Sequence, residues 1–327
     1  MVYLENLEIN FLRPNRVYFS GETIHGSLKF NIIEPVILKS INLSVNGYSS
    51  CRVKKKDSNN FVNGFEPYLK ATIFFLPQNI AQHELDPGSY NYDFQIDLPK
   101  SLPSSFKHRS GETIYYLCAN IQKSWSIDRN LTEYFTVINS ESFSFNRASS
   151  LNFNFNKKNG PCCTNSGTIR ANLSCERYSY AIDQIINFKI KVDNESKRDL
   201  NGLEVYLIQN ILFKPDKKNK AIYKRRIVTR KDQTQILAGT VFEFSDSIKI
   251  PLVEPNFKSD MVEISYRLEF AVKTGTFSRN LVGRADLMIS CNAQAEDESH
   301  QVLFNIEELA KNPFDYLTKF KSFYSLN

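Results

Sequence analysis

The sequence contains no apolar run long enough to cross a membrane and no segment with the layout of a secretory signal. No stretch approaches the roughly 18 apolar residues of a membrane span. Residues 1–11 carry Glu5 and Glu8 instead of an uninterrupted apolar core. We therefore expect a cytosolic protein, and in a reducing cytosol its six cysteines are expected to stay unpaired.

Motifs for catalysis, cofactor binding and metal binding are also missing. The sequence has no Gly-x-Ser-x-Gly, no glycine-rich phosphate loop and no His-Glu-x-x-His. The four histidines are far apart: His25, His83, His108 and His300. We expect no enzymatic activity, no cofactor and no metal site. The formal charge of +6 is modest for 327 residues and does not indicate a nucleic-acid-binding protein.

What the sequence has in abundance is two-residue alternation of apolar and polar side chains, which is typical of half-buried strands. Residues 186–192 and 264–272 show this alternation most clearly. Aromatic residues make up 13% of the chain, and they favour strands as well. The pattern predicts antiparallel sheets packed in pairs, with seven or eight strands in each sandwich.

The chain also repeats itself at an offset near 150 residues. Two prolines, a phenylalanine and a tyrosine recur in order: Pro99, Pro103, Phe106 and Tyr116 match Pro251, Pro255, Phe257 and Tyr266. A repeat of this length indicates a duplicated domain, and residues 144–166 between the copies are rich in Asn, Ser and Lys, as linkers are. We predict an N-terminal domain over 1–147, a linker over 148–166, a C-terminal domain over 167–293 and a tail over 294–327.

Several stretches resemble the alpha-arrestins, the arrestin domain-containing proteins. Residues 98–106, followed by Ile114-Tyr115-Tyr116-Leu117, look like the family's N-domain signature, and residues 18–27 look like the opening of that domain. Cys162-Cys163 and residues 193–196 match the start of its C domain. The resemblance implies an all-β fold, with two tandem arrestin-like, immunoglobulin-type β-sandwich domains. A short tail follows, and its periodicity predicts that it is partly helical.

The resemblance implies a non-enzymatic cytosolic adaptor that binds membrane receptors or transporters as cargo. Such an adaptor directs endocytosis, endosomal sorting or ubiquitination, peripherally at the plasma membrane and endosomes. Many members of the family reach ubiquitin ligases through Pro-Pro-x-Tyr motifs, and this sequence has no Pro-Pro pair. We therefore expect only an indirect link to a ligase.

Two alternatives from other functional classes remain open. One is a regulatory binder of a soluble protein through a reactive cysteine, as the related thioredoxin-interacting protein suggests. Its candidate residues are Cys51, Cys162 and Cys163. The other is a β-sandwich enzyme.

Two basic segments are the candidate binding sites. Residues 214–231 hold nine basic side chains against one acidic one. A hairpin of this composition is expected to face anionic lipid headgroups or an acidic partner through Lys217, Lys218, Lys220, Lys224, Arg225 and Arg226. A loop after the third strand is predicted to receive a phosphorylated or acidic segment of cargo through Arg52, Lys54, Lys55 and Lys56. For both segments the alternative is a solvated loop.

The tail changes period. Over residues 301–324 apolar side chains recur at about 3.6 residues, which predicts a helix interrupted at Asn312-Pro313. The interruption presents Asn312-Pro313-Phe314, which looks like the ligand of EH domains in endocytic adaptors. The alternative is that the tail packs on its own C-terminal domain and buries Phe314.

Overall fold

The computed structural model describes residues 3–56, 58–123, 128–139, 151–158, 167–274 and 280–290. This described part consists of two β-sandwiches built from strands alone, which confirms the all-β, two-sandwich fold. Each sandwich has ten strands once the short ones are counted, more than the seven or eight predicted. In the same residues there is no helix that could span a bilayer.

The N-terminal sandwich packs a three-stranded sheet on a seven-stranded sheet. Its strands are β1 (Leu4–Phe11), β2 (Val17–Phe19), β3 (Thr23–Ile32), β4 (Val36–Lys54), β5 (Phe61–Phe74), β6 (His83–Leu85), β7 (Gly88–Asp97), β8 (Phe106–His108), β9 (Gly111–Lys123) and β10 (Arg129–Ile138). The smaller sheet has the order β1-β3-β7, and the larger one has the order β2-β10-β9-β4-β5, with β6 on β4 and β8 on β9. Ile24, Leu43 and Leu117 are fully buried between the two sheets.

The C-terminal sandwich packs a four-stranded sheet on a six-stranded sheet. Its strands are β11 (Leu151–Lys158), β12 (Thr168–Cys175), β13 (Ser179–Ala181), β14 (Ile185–Asn194), β15 (Leu203–Phe213), β16 (Ala221–Asp232), β17 (Thr240–Lys249), β18 (Phe257–Lys258), β19 (Val262–Val272) and β20 (Leu281–Ser290). The orders are β11-β12-β14-β17 and β13-β20-β19-β15-β16, with β18 on β19. Ile186, Ile190 and Leu268 are fully buried in its core.

The two sandwiches share one strand plan, as the internal repeat predicts. β4 lies between β5 and β9, and β15 lies in the same way between β16 and β19. The short strands β2 and β13 each run parallel to the last strand of their domain. The described parts differ at two strands. Strand β11 extends the smaller C-terminal sheet and has no counterpart beside β1, and strand β6, which pairs with β4, has no counterpart beside β15.

The tyrosine that corresponds to Tyr266 in the repeat is Tyr115. Its hydroxyl donates a hydrogen bond to the carbonyl oxygen of Pro103 at 2.7 Å, and the hydroxyl of Tyr266 donates to the carbonyl oxygen of Glu254. Both tyrosines are buried. The match of Tyr116 with Tyr266 is therefore wrong by one residue, a shift that moves a strand side chain to the opposite face.

Residues 151–158 form β11 and are not linker. They pair with β12 along the whole strand, and the Phe155 ring packs edge-on against Phe270 with the centroids 5.3 Å apart. Gly283 makes room for this ring, because a Cβ there would come within 2.8 Å of it. The predicted linker is thus corrected over this strand. Several predictions lie outside the described residues: those on Cys162, Cys163, the helical tail and Asn312-Pro313-Phe314.

Candidate functional site

The two basic segments are the same hairpin in the two duplicated domains. The first is the end of the β4–β5 pair, and the second is the end of the β15–β16 pair. We call residues 52–61 the N hairpin and residues 213–226 the C hairpin. Arg52 and Lys54 belong to β4 itself, which corrects their predicted place in a loop. Because β5 and β16 end their sheets, both hairpins lie at a sheet edge.

The C hairpin touches the N-terminal domain beside the N hairpin. Pro215 lies so close to Gly64 of β5 that a Cβ on the glycine would be 2.7 Å from the Pro215 Cα atom. Phe213 lies against Gly111, where a Cβ would be 2.5 Å from the ring. Cys51 pairs with both glycines. Side chains at these two glycine positions would push the domains apart.

The domain interface is apolar at its centre. Cys51, Val53 and Phe106 of the N-terminal domain are buried in the same cluster as Phe213 and Phe257 of the C-terminal domain. The ring centroid of Phe106 lies 6.2 Å from that of Phe213 and 6.4 Å from that of Phe257. The sandwiches therefore share one core here, and this core fixes the position of the two hairpins relative to each other.

A carboxylate and a tyrosine join the domains at the rim of this core. The Glu66 carboxylate accepts hydrogen bonds from the Tyr68 hydroxyl at 2.5 Å and from the Met261 backbone N–H at 3.0 Å. The Tyr68 hydroxyl is also 3.0 Å from the hydroxyl of Ser259. Burial, together with the hydrogen bond to Glu66, raises the pKa of Tyr68. These contacts tie β5 to the segment before β19.

The tip of the β8–β9 hairpin packs on Tyr223 of the C hairpin. The His108 and Tyr223 ring centroids are 4.7 Å apart, and the Ser110 hydroxyl donates to the Tyr223 hydroxyl at 2.9 Å. The Ser110 N–H donates to Nδ1 of His108 at 3.1 Å. Burial, assisted by the positive charges of Arg109 and Arg225, lowers the pKa of His108 to about 4. His108 is therefore neutral in the packed interface.

The turn of the C hairpin presents three lysines to solvent. Asp216 organises the turn by accepting hydrogen bonds from the N–H groups of Lys218 and Asn219, each at 2.7 Å. The Asn219 side chain and these N–H groups hold the pKa of Asp216 below its usual range. Lys217, Lys218 and Lys220 are exposed, and within the described part of the chain none of them forms an ion pair.

The three cations that follow in β16 do not share one face. Lys224 and Arg226 are exposed on the outer face, where the Arg226 guanidinium lies 4.3 Å from the centre of the Tyr206 ring. Arg225 points inward: its side chain is 22% exposed and lies 3.8 Å from the buried carboxylate of Glu254. Arg225 is thus not part of the exposed surface predicted for it, because every second residue of a strand turns to the other face.

Glu254 explains why an arginine is turned inward. Its carboxylate is almost completely buried and accepts a hydrogen bond from the Gln209 side-chain amide at 2.9 Å. The same amide nitrogen is 2.7 Å from the Tyr266 hydroxyl. A buried carboxylate needs a cation or several donors to offset its lost hydration, and Arg225 supplies the cation.

In the N hairpin, Arg52 contacts an aromatic ring, whereas Lys54, Lys55 and Lys56 are exposed. The Arg52 guanidinium lies 4.5 Å from the centre of the Phe61 ring. Lys54, Lys55 and Lys56 line a shallow depression of about 540 Å³. A second depression, of about 730 Å³, lies where the C hairpin meets β5. Its walls include Phe65, Glu66, Lys214, Lys217, Lys220 and Met261.

Of the redox and catalytic candidates within the described residues, the cysteine is buried and the three histidines lie on different strands. Cys51 is buried in the domain interface, and burial raises its pKa to about 11, which makes it a poor nucleophile. His25, His83 and His108 lie in β3, β6 and β8. Across the described ranges, no group of three His, Cys, Asp or Glu side chains could hold a metal ion.

Comparison with known proteins finds matches for both sandwiches. The family model for the arrestin (or S-antigen) N-terminal domain matches residues 7–143, and the model for the arrestin C-terminal domain matches residues 165–290. Arrestin domain-containing protein 17 of Caenorhabditis elegans is 25% identical over 296 residues, which cover 84% of this chain and 68% of the relative.

Two mammalian relatives give the same picture. Arrestin domain-containing protein 1 of Rattus norvegicus is 22% identical over 281 residues, covering 81% of this chain and 60% of the relative. Arrestin domain-containing protein 5 of Homo sapiens is 22% identical over 227 residues, covering 65% of this chain and 64% of the relative. The matches thus span between 60% and 68% of these three relatives.

Proposed function

Because the chain belongs to the alpha-arrestin family of arrestin domain-containing proteins, we propose that it is a non-enzymatic adaptor. It binds membrane receptors or transporters as cargo and directs their endocytosis, endosomal sorting or ubiquitination. It works in the cytoplasm, peripherally at the plasma membrane and endosomes. The observation that carries the proposal is the pair of basic hairpins that meet at the shared core of the two domains.

Each hairpin has a role that follows from its exposed cations. In the N hairpin, Arg52 and the lysines at 54–56 receive a phosphorylated or acidic segment of the cargo, since charge-assisted hydrogen bonds to phosphate are strong. In the C hairpin, the turn lysines with Lys224 and Arg226 face anionic headgroups or an acidic partner. Cations near an anionic membrane contribute about 1 kcal/mol each. Several such cations are therefore enough for reversible attachment to an anionic membrane.

The shared core supports simultaneous use of both hairpins. Gly64, which touches Pro215, is three residues from Phe61 at the end of the N hairpin, or about 10 Å along the strand. A cargo segment can therefore meet the N hairpin while the C hairpin holds anionic headgroups or an acidic partner. The absence of a Pro-Pro pair supports an indirect route to ubiquitin ligases, and Asn312-Pro313-Phe314 supports contact with EH-domain adaptors.

Charge reversal tests the proposal. The full-length chain is mixed with phosphatidylserine vesicles or with a phosphorylated peptide, at two salt concentrations. Glutamate at Lys217, Lys218 and Lys220 should abolish vesicle binding, and glutamate at Lys54, Lys55 and Lys56 should abolish binding of the peptide. Both interactions should weaken with salt, as screened surface charge requires.

A variant with the same change in net charge is the control. Glutamate at the exposed residues Lys29, Lys39 and Lys100 changes the total charge equally and lies outside both hairpins. Binding that falls as much in this control as in the hairpin variants would show that only net charge matters. Binding that no variant changes would contradict the proposed role of the hairpins.

A further inference from the structure

Strand β16 leaves part of its main chain open. It ends its sheet, and no other described strand pairs with its outer edge. Along β15 the hydrogen bonds alternate in direction. The Lys214 N–H donates to the Met261 carbonyl, and the Lys273 N–H donates to the Gly202 carbonyl. Even-numbered residues of β15 therefore bond to β19, and odd-numbered ones bond to β16.

This alternation fixes which groups of β16 face outward. Ala221, Tyr223 and Arg225 stand opposite odd-numbered residues of β15, so their N–H and C=O groups are used in the sheet. The main-chain groups of Ile222 and Lys224 point the other way. No described group accepts a hydrogen bond from either of these two N–H groups. A row of unpaired groups of this kind is a template for one more strand.

The open stretch of β16 is short, because Arg230 ties the later part of the strand to β17. Further along β16, the Arg230 side chain donates to the Ser247 carbonyl at 3.1 Å and lies 3.5 Å from the Asp246 carboxylate. Arg230 thereby ties that part of β16 to β17. The part before it, residues 222–226, carries the exposed side chains of Ile222, Lys224 and Arg226.

Positive charge surrounds this stretch. The turn lysines precede it, and the one acidic residue of the turn, Asp216, already accepts hydrogen bonds from its own turn. Cations at a sheet edge repel another basic strand and a second copy of the chain, which is a common protection against aggregation. A strand with carboxylates would instead be attracted, because cross-strand pairs of opposite charge are favourable. Charge at this edge therefore favours an acidic strand over a basic one.

The equivalent edge in the N-terminal domain has a different protection. Strand β5 carries Pro67 at a register shift of its pairing with β4, and only one lysine, Lys70, lies within the strand. Proline blocks any added strand, whatever its charge. Strand β16 contains no proline. Its protection comes from charge and, just beyond the open stretch, from the irregular pairing between Arg226 and Val228.

We propose that an extended acidic segment of a partner protein adds to β16 at residues 222–226 as one more strand. Carboxylates at every second position then face Lys224 and Arg226, which lie about 7 Å apart on one face of the strand. The proposal deepens the adaptor function and rests on the C hairpin being a binding surface. It assigns that surface to a protein segment, and a membrane is the competing occupant.

The test separates main-chain pairing from charge. The probe is a short peptide with glutamate at every second position, compared with the same peptide N-methylated at alternate amides and with phosphatidylserine vesicles. Ile222→Pro removes the open N–H and keeps every charge, and Ile222→Val is its matched control. Ile222→Pro should weaken peptide binding about tenfold, which corresponds to one hydrogen bond of roughly 1.4 kcal/mol. It should leave vesicle binding unchanged.

Each outcome decides between the two ideas. N-methylation must weaken binding of the peptide to the unaltered chain. This comparison remains valid even if the Ile222→Pro variant fails to fold. Peptide binding that resists both changes but disappears in Lys224→Glu/Arg226→Glu would overturn strand addition and keep the anionic binding surface. Vesicle binding without peptide binding would assign the surface to lipid. If the double charge variant alters neither ligand, the proposed role of the C hairpin fails as well.

Discussion

Acidification should loosen the contact between the two domains at His108. The pKa of His108 lies at about 4 against 6.5 for a free histidine, chiefly because partial burial of the ring disfavours its charged form. In the unfolded chain this residue takes up a proton as the pH falls below 6.5, whereas in the packed interface it does so only near 4. The interface therefore has its full stability above pH 6.5, loses stability as the pH falls from 6.5 towards 4, and changes little below that.

The structure sets the size of the effect. At roughly 1.4 kcal/mol per pKa unit, the largest loss is about 3 kcal/mol, and at about pH 5 the loss is about 2 kcal/mol. The ring is only partly buried against Tyr223, and solvent screens the charges of Arg109 and Arg225. We therefore expect a loss of about 1 to 2 kcal/mol at about pH 5.

Urea unfolding followed by circular dichroism at about pH 7.5 and about pH 5 measures this loss. His108→Asn keeps an acceptor for the Ser110 N–H but cannot take up a proton, and His108→Phe keeps the ring contact with Tyr223. Both should show about 1 to 2 kcal/mol less pH dependence than the unaltered chain. His25→Asn, at an exposed position, is the control for the loss of a histidine. Parallel pH profiles for the unaltered chain and both His108 variants would refute the reasoning.

Four further outcomes are expected. Gly64→Ala should cost about 1 to 3 kcal/mol of unfolding free energy in urea, because its Cβ meets the Pro215 backbone. Arg225→Met should cost about 2 kcal/mol in the same assay, because it leaves the buried Glu254 carboxylate without its cation; an unchanged midpoint would contradict the inward placement. Calorimetry should detect no micromolar binding of the full chain to an isolated WW domain, since the sequence has no Pro-Pro pair. Phe314→Ala should remove binding to an isolated EH domain without changing the Tm, whereas a lower Tm would indicate a packed tail.

The strands were predictable because their inner faces are uniformly apolar. Ile186, Phe188 and Ile190 alternate with polar residues in the sequence and are all buried in β14. The duplicated domain was predictable for a related reason, since the spacing from Phe106 and Phe257 to the next strand is the same in both halves. Periodicity reports such features directly, without knowledge of distant contacts.

The sequence could not show which of several similar adjacent residues turns towards the interior. Lys224, Arg225 and Arg226 are all basic, so their composition cannot show that the middle one turns inward to Glu254. The adjacent tyrosines at 115 and 116 hide the register in the same way. Strand β11 is rich in asparagine, as linkers are, and the packing of Phe155 on Phe270 overrides that composition.

The sequence did not show that the two hairpins are equivalent, because the number of residues between the hairpin and the proline-rich segment differs between the two domains. Gly47 and Gln209 occupy equivalent places, because they pair with Tyr115 and Tyr266. They are further apart in sequence than Phe106 and Phe257 are. An offset taken from the proline-rich segments therefore fails to align the basic segments, and only the strand pairing reveals that they correspond.

The shared core also has a consequence for synthesis on the ribosome. Cys51, Val53 and Phe106 meet the first of their partners when Phe213 has been made, and the last when Phe257 and its neighbours have been made. At roughly 5 to 20 residues per second, the about 150 residues between Phe106 and Phe257 take on the order of 10 to 30 s to translate. During that time the nascent N-terminal sandwich exposes an apolar patch that the finished protein covers. We therefore expect the emerging chain to bind chaperones that recognise apolar surface, and a nascent chain that stalls in the C-terminal half to expose an apolar, aggregation-prone N-terminal domain.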